Sequence, residues 1–177
     1  VGGGIRSVDA IREYLRLGAD KVSLNTPAYE IPGLIEEAAA IFGSQCIVLA
    51  IDSKWNDALG FWEVCLHGGR QPTGTSVVEW AAEVERRGAG EILLTSMDAD
   101  GTGDGFDISV TKAVGQAVHI PVIASGGAGS MEHFKQVFED AHADAALAAT
   151  LFHYGHIEIG QLKQYLRDGG IPMRMDF

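Results

Sequence analysis

The sequence predicts a parallel α/β fold that closes into a barrel, and three observations support this prediction. Short apolar runs alternate with amphipathic stretches along the chain, a rhythm typical of consecutive strand–helix units in a parallel sheet. Residues 46–51 form an almost uninterrupted apolar run, as expected of a strand buried on both faces. A glycine-rich turn also occurs twice, which suits a closed barrel with twofold pseudo-symmetry better than an open sheet.

The predicted elements are a strand remnant at Val1 and five full strands, each followed by a helix. The strands are placed at residues 21–24, 46–51, 91–96, 121–124 and 145–149. The helices are placed at residues 8–17, 31–42, 77–87, 108–118, 131–140 and 157–167. A polar, glycine-rich excursion spans residues 53–75, and alternation at residues 61–66 predicts a hairpin inserted in it.

Composition limits the class of protein. The 177 residues are fewer than the roughly 250 of a typical complete barrel, and 46% hydrophobic with 21% charged residues is typical of a soluble domain. A net charge of −11 argues against nucleic acid as a partner. No apolar run reaches the roughly 18 residues of a membrane span. Two cysteines and scattered histidines lack metal-ligand spacing, so we expect a cytoplasmic protein with reduced thiols and no metal.

The repeated turn predicts two phosphate sites. The segment Gly3-Gly4-Ile5-Arg6-Ser7 resembles Gly126-Gly127-Ala128-Gly129-Ser130, and each precedes a strand that ends at Asn25-Thr26 or Ala149-Thr150. Glycine lets backbone N–H groups approach a phosphate closely, and a helix N-terminus adds further donors. One such turn is equally compatible with a ligand-free connection, but two at symmetric positions favour a site for a substrate with two phosphates.

Carboxylates follow two of the predicted strands. Asp52 ends the apolar strand at residues 46–51, where a barrel places its catalytic groups, so it is a candidate for general acid–base catalysis or a loop cap. Asp98 and Asp100 follow the next strand. The pair could hold a metal, but we favour Asp100 with Gly101 and Thr102 as substrate contacts. Asp98 is then loop structure or a substrate hydrogen-bond acceptor.

A charged pair is predicted at the opposite edge. Lys21 and Glu91 each begin a strand, directly after Gly-Ala-Asp and Gly-Ala-Gly turns. Side chains there lie at the bottom of a barrel. The two residues are compatible with a solvated salt bridge or with a charged gate across the barrel axis.

These segments together resemble one family. The matching segments, in chain order, are residues 1–5, 19–26, 50–52, 88–98, 100–102, 123–129 and 144–149, among which 91–98 (Glu-Ile-Leu-Leu-Thr-Ser-Met-Asp) is the most specific. The chain resembles the cyclase subunit of imidazole glycerol phosphate synthase, from histidine biosynthesis, and the likeness covers essentially all 177 residues.

The resemblance implies a reaction and roles for single residues. Ammonia from a glutaminase partner docked at the barrel bottom would convert a phosphoribulosyl-formimino-carboxamide ribotide into imidazole glycerol phosphate and aminoimidazole carboxamide ribotide, with no cofactor or metal. Asp52 matches one of two catalytic aspartates, and Lys21 and Glu91 match members of an ammonia gate. The positions that match substrate or phosphate contacts are Gly4, Asn25, Thr26, Asp100, Gly101, Gly127, Ala149 and Thr150.

One departure from the family is large. The family's other catalytic aspartate and a further gate arginine belong to the first two strand–helix units, which have no counterpart in this chain. We therefore expect residues 1–177 to form a single partial (β/α)₈ TIM-barrel domain. It comprises the last six of eight units, from the end of strand three through strand eight and the final helix, and is inactive alone.

Two other functions are compatible with the same residues. The sister isomerase of histidine biosynthesis handles the same bis-phosphate ligand. An isomerase that uses no ammonia has no need of Lys21 and Glu91 as a gate, and Asn25-Thr26 is a further argument against an isomerase. The other alternative is a non-catalytic phosphate-binding module. Turnover with free ammonia would separate these functions from the cyclase.

Overall fold

A computed structural model describes residues 1–175. The strands are β1 (Val22–Leu24), β2 (Ile47–Asn56), β3 (Phe61–Leu66), β4 (Gln71–Ser76), β5 (Glu91–Ser96), β6 (Val122–Ser125) and β7 (Ala145–Leu147). The α-helices are α1 (Val8–Arg16), α2 (Thr26–Glu30), α3 (Gly33–Phe42), α4 (Val77–Arg86), α5 (Ile108–Ala117), α6 (Met131–Asp140), α7 (Thr150–His153) and α8 (Ile159–Asp168). A 3₁₀ helix covers Ser44–Cys46.

The sheet combines a parallel part with a hairpin. Its parallel strands run in the order β1-β2-β5-β6-β7, and the hairpin β3–β4 pairs antiparallel with the far part of β2. Gly2 forms a parallel bridge with Ser23 of β1. The five predicted strands, the strand remnant at the start of the chain and the inserted hairpin are therefore present. Within residues 1–175, β7 pairs with β6 alone, so its other edge is open.

Helices cover the sheet, and their buried apolar side chains pack with those of the strands. Ser7 and Ser130 cap α1 and α6 by accepting hydrogen bonds from backbone N–H groups three residues on, the arrangement that begins a helix after an extended segment. Ile11 of α1 and Phe134 of α6 are almost fully buried, in two separate apolar clusters. None of the helices in the described part of the chain is both long and apolar enough to cross a membrane.

Three predicted boundaries were wrong for physical reasons. β2 starts at Ile47. It runs to Asn56 because its residues beyond Ser53, which no longer pair with β5, pair with β3. Cys46 lies in the 3₁₀ helix and is half-buried. β7 ends at Leu147 and not at residue 149, since residues 148–149 leave the sheet to begin α7.

Candidate active site

The parallel strands place a row of polar side chains at one edge of the sheet. Asp52 of β2 lies opposite Thr95 of β5, and Thr95 lies opposite Ser125 of β6. Side chains in register on neighbouring strands share a face, so these three residues form a polar row at the carboxyl ends of the strands. The sequence predicted that Asp52 ends β2, but the strand continues beyond it. Asp52 instead lies near the end of the parallel ladder, whose last pair is Ser53 with Ser96.

Asp52 is a buried carboxyl with a single side-chain donor. It is 9% exposed, and Asn25 donates from Nδ2 to its Oδ2 at 3.2 Å. Burial raises the pKa of Asp52, and the charge of Asp100 adds to this, while the Asn25 hydrogen bond and the nearby Gly69 N–H oppose it. A carboxyl whose pKa is raised towards neutral pH is suited to exchange a proton with a substrate.

A first pocket contains the residues predicted for one phosphate. Gly4, Asn25 and Thr26 line a cavity of about 440 Å³ together with His67 and Gly68 of the β3–β4 turn. The glycine turn has the left-handed backbone that favours glycine, with φ of 73° at Gly4, and space beside its Cα is open. The pocket therefore offers backbone, amide, hydroxyl and imidazole groups within one small volume.

A second pocket contains the residues predicted for the other phosphate. Gly127, Ala149 and Thr150 line a cavity of about 480 Å³ with Asp100 and Gly101. Among residues 1–175, the N–H group of Gly127 donates to no protein group, although its carbonyl accepts from Gly105 N–H at 2.8 Å. An undonated N–H beside a cavity is available to an anion.

The two pockets have the same construction. α2 begins at Thr26 after Asn25, and α7 begins at Thr150 after Ala149, and neither helix has a side-chain cap at its first turn. Each pocket thus joins a glycine turn to the start of a short helix. β1 and β7 are four strand steps apart, about 19 Å measured along the sheet. Asp52 lies between the two pockets. It accepts a hydrogen bond from Asn25, which lines the first pocket, and it is in register with Thr95, which lines the second.

Asp98 and Asp100 have separate surroundings. Asp98 Oδ2 accepts a hydrogen bond from Trp55 N–H at 2.7 Å, which ties the β5–α5 loop to β2. Asp98 therefore has a structural contact. The Asp100 backbone N–H donates to the Ser96 carbonyl at 2.9 Å, and the residue lines the second pocket. The described residues contain no group of three His, Cys, Asp or Glu side chains arranged for a metal.

Lys21 and Glu91 form an ion pair at the opposite edge of the sheet. Lys21 Nζ contacts Glu91 Oε1, and both side chains are partly exposed. Glu91 is in register with Val48, four residues before Asp52 on β2, so the ion pair lies about 13 Å from the level of Asp52. The structure brings the two residues together and places them at the opposite end of the strands from the two pockets.

Three further residues of this region were not predicted from the sequence. Thr95 and Ser125 line the second pocket, and His67 lines the first. A signal for the first two exists, because each is a polar residue at the end of an apolar strand, like Asp52. Gly68-Gly69 after His67 repeats the Gly-Gly pattern of the two turns, but its position over the first pocket depends on distant contacts.

The parallel sheet, its covering helices and the polar row at the carboxyl edge define an α/β protein consistent with the TIM-barrel class. The family model for histidine biosynthesis proteins matches residues 1–158. The chain belongs to this family, among the HisF subunits of imidazole glycerol phosphate synthase.

The similarity to individual relatives covers nearly the whole chain. The HisF subunit of Geobacillus thermodenitrificans is 59% identical over 174 residues, which are 98% of this chain and 69% of the relative. That of Thermococcus onnurineus is 59% identical over 177 residues, 100% of this chain and 69% of the relative. That of Pyrococcus furiosus is 60% identical over 176 residues, 99% of this chain and 69% of the relative.

Proposed function

We propose that this chain belongs to the ammonia-dependent cyclase of imidazole glycerol phosphate synthase. The substrate would be a phosphoribulosyl-formimino-carboxamide ribotide, and the products imidazole glycerol phosphate and aminoimidazole carboxamide ribotide. The observation that carries the proposal is the pair of similarly built pockets on either side of Asp52. A substrate with a phosphate at each end needs two such pockets, with the reacting groups between them.

We assign roles to the residues of the two pockets and to Asp52, and the positions of the pockets support this assignment. Gly4, Asn25 and Thr26 bind one phosphate through backbone, amide and hydroxyl donors. The second pocket binds the other phosphate through donors of Gly101, Gly127, Ala149 and Thr150, and in its neighbourhood the Asp100 carboxylate accepts hydrogen bonds from substrate hydroxyls. Asp52 exchanges protons with the substrate between the phosphates, as its burial and raised pKa favour.

The ion pair supplies the entry for ammonia. A glutaminase subunit docks at the amino-terminal edge of the sheet, where Lys21 and Glu91 lie, and releases ammonia into the interior. The pair acts as a gate between the partner and the pocket edge. Because both side chains are partly exposed, opening the pair costs little, on the order of 1 kcal/mol or less.

Residues 1–177 form one partial barrel domain, the last six of eight strand–helix units. Support comes from the relatives, of whose length the chain spans 69%, and from the open edge of β7 within the described residues. The family's second catalytic aspartate belongs to the units that this chain does not contain. The 177-residue chain alone is therefore inactive in cyclisation.

A turnover assay with free ammonia tests the proposal. The 177-residue chain is combined with a separately produced polypeptide that carries the first two units of a HisF relative, and formation of imidazole glycerol phosphate is measured. Turnover that requires both pieces supports the cyclase. Isomerisation of the ring-closed precursor without ammonia would favour the sister isomerase, and phosphate binding without any turnover would favour a non-catalytic module.

A further inference from the structure

The turn between β3 and β4 closes over the first pocket. The backbone N–H of His67 donates to Thr26 Oγ1 at 3.0 Å, and its carbonyl accepts from Arg70 Nε at 2.7 Å. Both backbone groups of His67 are therefore occupied. The imidazole is exposed, lines the pocket, and makes no hydrogen bond with any residue in the range 1–175.

The backbone of this turn is held in an unfavourable conformation. His67 has φ of 54°, and among residues 1–175 only His142 shares a positive φ without being glycine. Left-handed backbone costs a residue with a Cβ about 1 kcal/mol, so the position would suit glycine or asparagine better. Strained residues held by their surroundings are frequent at binding sites, which makes His67 a candidate for a functional role.

Contacts on both sides fix the turn in place. Gly68 and Gly69 continue the left-handed path, with φ of 69° and 78°. Gly69 packs so closely against Met97 that an added Cβ would lie 2.9 Å from the Met97 sulfur. With Thr26 on one side and Met97 on the other, the backbone of the turn is held beside the first pocket, which His67 lines.

Two polar side chains of the pocket already have a hydrogen-bond partner within the protein. Asn25 Nδ2 donates to Asp52, and Thr26 Oγ1 accepts from His67 N–H. Within residues 1–175 Thr26 Oγ1 acts only as an acceptor, so its hydroxyl proton is free to donate into the cavity. The cationic or potentially cationic side chains that line the cavity are Arg6 and His67, in a chain of net charge −11.

We infer that His67 is a further phosphate-binding residue of the first pocket, a role that rests on the proposed function of that pocket. Its imidazole N–H donates to a phosphate oxygen, while its backbone N–H orients the Thr26 hydroxyl towards the same group. His67 thus binds the anion directly and positions a second donor.

The test is a titration with inorganic phosphate at fixed pH, followed by NMR, of the isotope-labelled 177-residue chain combined with an unlabelled polypeptide that carries the first two units of a HisF relative. In the unchanged chain, the amide signals of Gly4 and Thr26 and the imidazole signals of His67 shift together with one dissociation constant. In His67→Asn, which keeps a residue tolerant of positive φ, that constant rises about fivefold or more, as for loss of one hydrogen bond to a charged group. The Gly127 and Thr150 amides of the second pocket keep their constant.

His142→Asn is the matched control, since His142 has φ of 56° but lines neither pocket. It should leave both dissociation constants unchanged. An unaltered constant at Gly4 and Thr26 in His67→Asn, or imidazole signals that stay still in the unchanged chain, overturns the role of His67 alone. If the Gly4 and Thr26 amides themselves do not respond to phosphate, the first phosphate site and the role of His67 both fail.

Discussion

Asn25 Nδ2 lies 3.2 Å from Asp52 Oδ2, so a residue of the first pocket holds the buried carboxyl directly. Asn25 also stands at the start of α2, next to Thr26, whose hydroxyl accepts from the β3–β4 turn. Occupation of the pocket by an anion and the orientation of the carboxyl are therefore joined through a single side chain. In the proposed function, this link connects binding of one end of the substrate to proton exchange at its centre.

Asp52→Asn is expected to abolish most of the cyclase activity without unfolding the protein. In a preparation that also contains the first two units, turnover with free ammonia should fall by about 10²-fold or more, the loss typical of a missing general acid or base. Phosphate binding at both pockets should persist, because asparagine still accepts from Asn25. Asp20→Asn, at an exposed position, is the control. Turnover within a few-fold of the parent would remove Asp52 from the mechanism.

The same substitution should change the pH dependence of stability. The fold raises the pKa of Asp52 above its ordinary value of 3.8, so the fold favours the uncharged acid. The protonated Asp52 side chain therefore stabilises the fold fully below pH 3.8, the ordinary pKa. This stabilisation is lost as the pH rises through the raised pKa of the folded protein. Asp52→Asn cannot ionise, and should be more stable than the parent near neutral pH, by a few tenths to about 1 kcal/mol.

Urea denaturation at neutral pH and below pH 3.8 checks this expectation. The advantage of Asp52→Asn should disappear at the lower pH, where the parent carboxyl is protonated. Asp20→Asn reports the effect of removing one negative charge from an exposed site. A stability difference that is the same at both pH values for Asp52→Asn would show that ionisation of this carboxyl is not coupled to folding.

Gly126→Ala should be more damaging than Gly101→Ala, although both glycines have a positive φ. At Gly126 an added Cβ would lie 2.8 Å from the Ser96 carbonyl oxygen, whereas at Gly101 the space is open. Backbone strain alone should cost about 1 kcal/mol at Gly101, and the overlap should add at least about 1 kcal/mol more at Gly126. Denaturant titration gives both free energies, and equal losses would mean that the turn can move away from Ser96.

The strands and the hairpin could be predicted because their patterns are local. Buried parallel strands are short apolar runs, and the sequence pattern at residues 61–66 predicted the hairpin strand β3, although its last four residues are buried on both faces. The extension of β2 to Asn56 could not be predicted, since it depends on pairing with β3 and not on the residues of β2 themselves. The short helices α2 and α7 escaped prediction because four or five residues carry no helical periodicity.

The same distinction applies to the candidate site. The duplicated glycine turns were visible as a repeat, and the structure brings Gly4 to Thr26 and Gly127 to Thr150. Their role in phosphate binding stays a prediction. His67 was invisible because its place depends on a hydrogen bond to a residue 41 positions away. The structural contact of Asp98 with Trp55 likewise depends on the path of β2 beyond the parallel ladder.

Glu91→Ala should impair the glutamine-dependent reaction more than the reaction with free ammonia. The ion pair with Lys21 lies at the opposite end of the strands from the pockets, so we expect it to matter for ammonia delivered through the interior and not for ammonia that enters at the pockets. The measurement is the ratio of the two rates in a complex with a glutaminase subunit. Glu83→Ala, which removes ion pairs on α4, is the control. An equal loss in both assays would make the pair purely structural.

The 177-residue chain alone should associate with itself and should show no cyclase turnover. β7 pairs on one side within residues 1–175, and an open strand edge is a template for pairing with another chain. Leu147 on that strand is 43% exposed, so association would also bury apolar surface. Adding a polypeptide with the first two units of a HisF relative should cover these edges, supply the second aspartate, and produce a monomer-sized complex active with free ammonia. Light scattering and turnover, each measured with and without the added piece, give the answer. Robust turnover by the 177-residue chain alone would show that a second aspartate is dispensable and that the proposed acid–base mechanism is wrong.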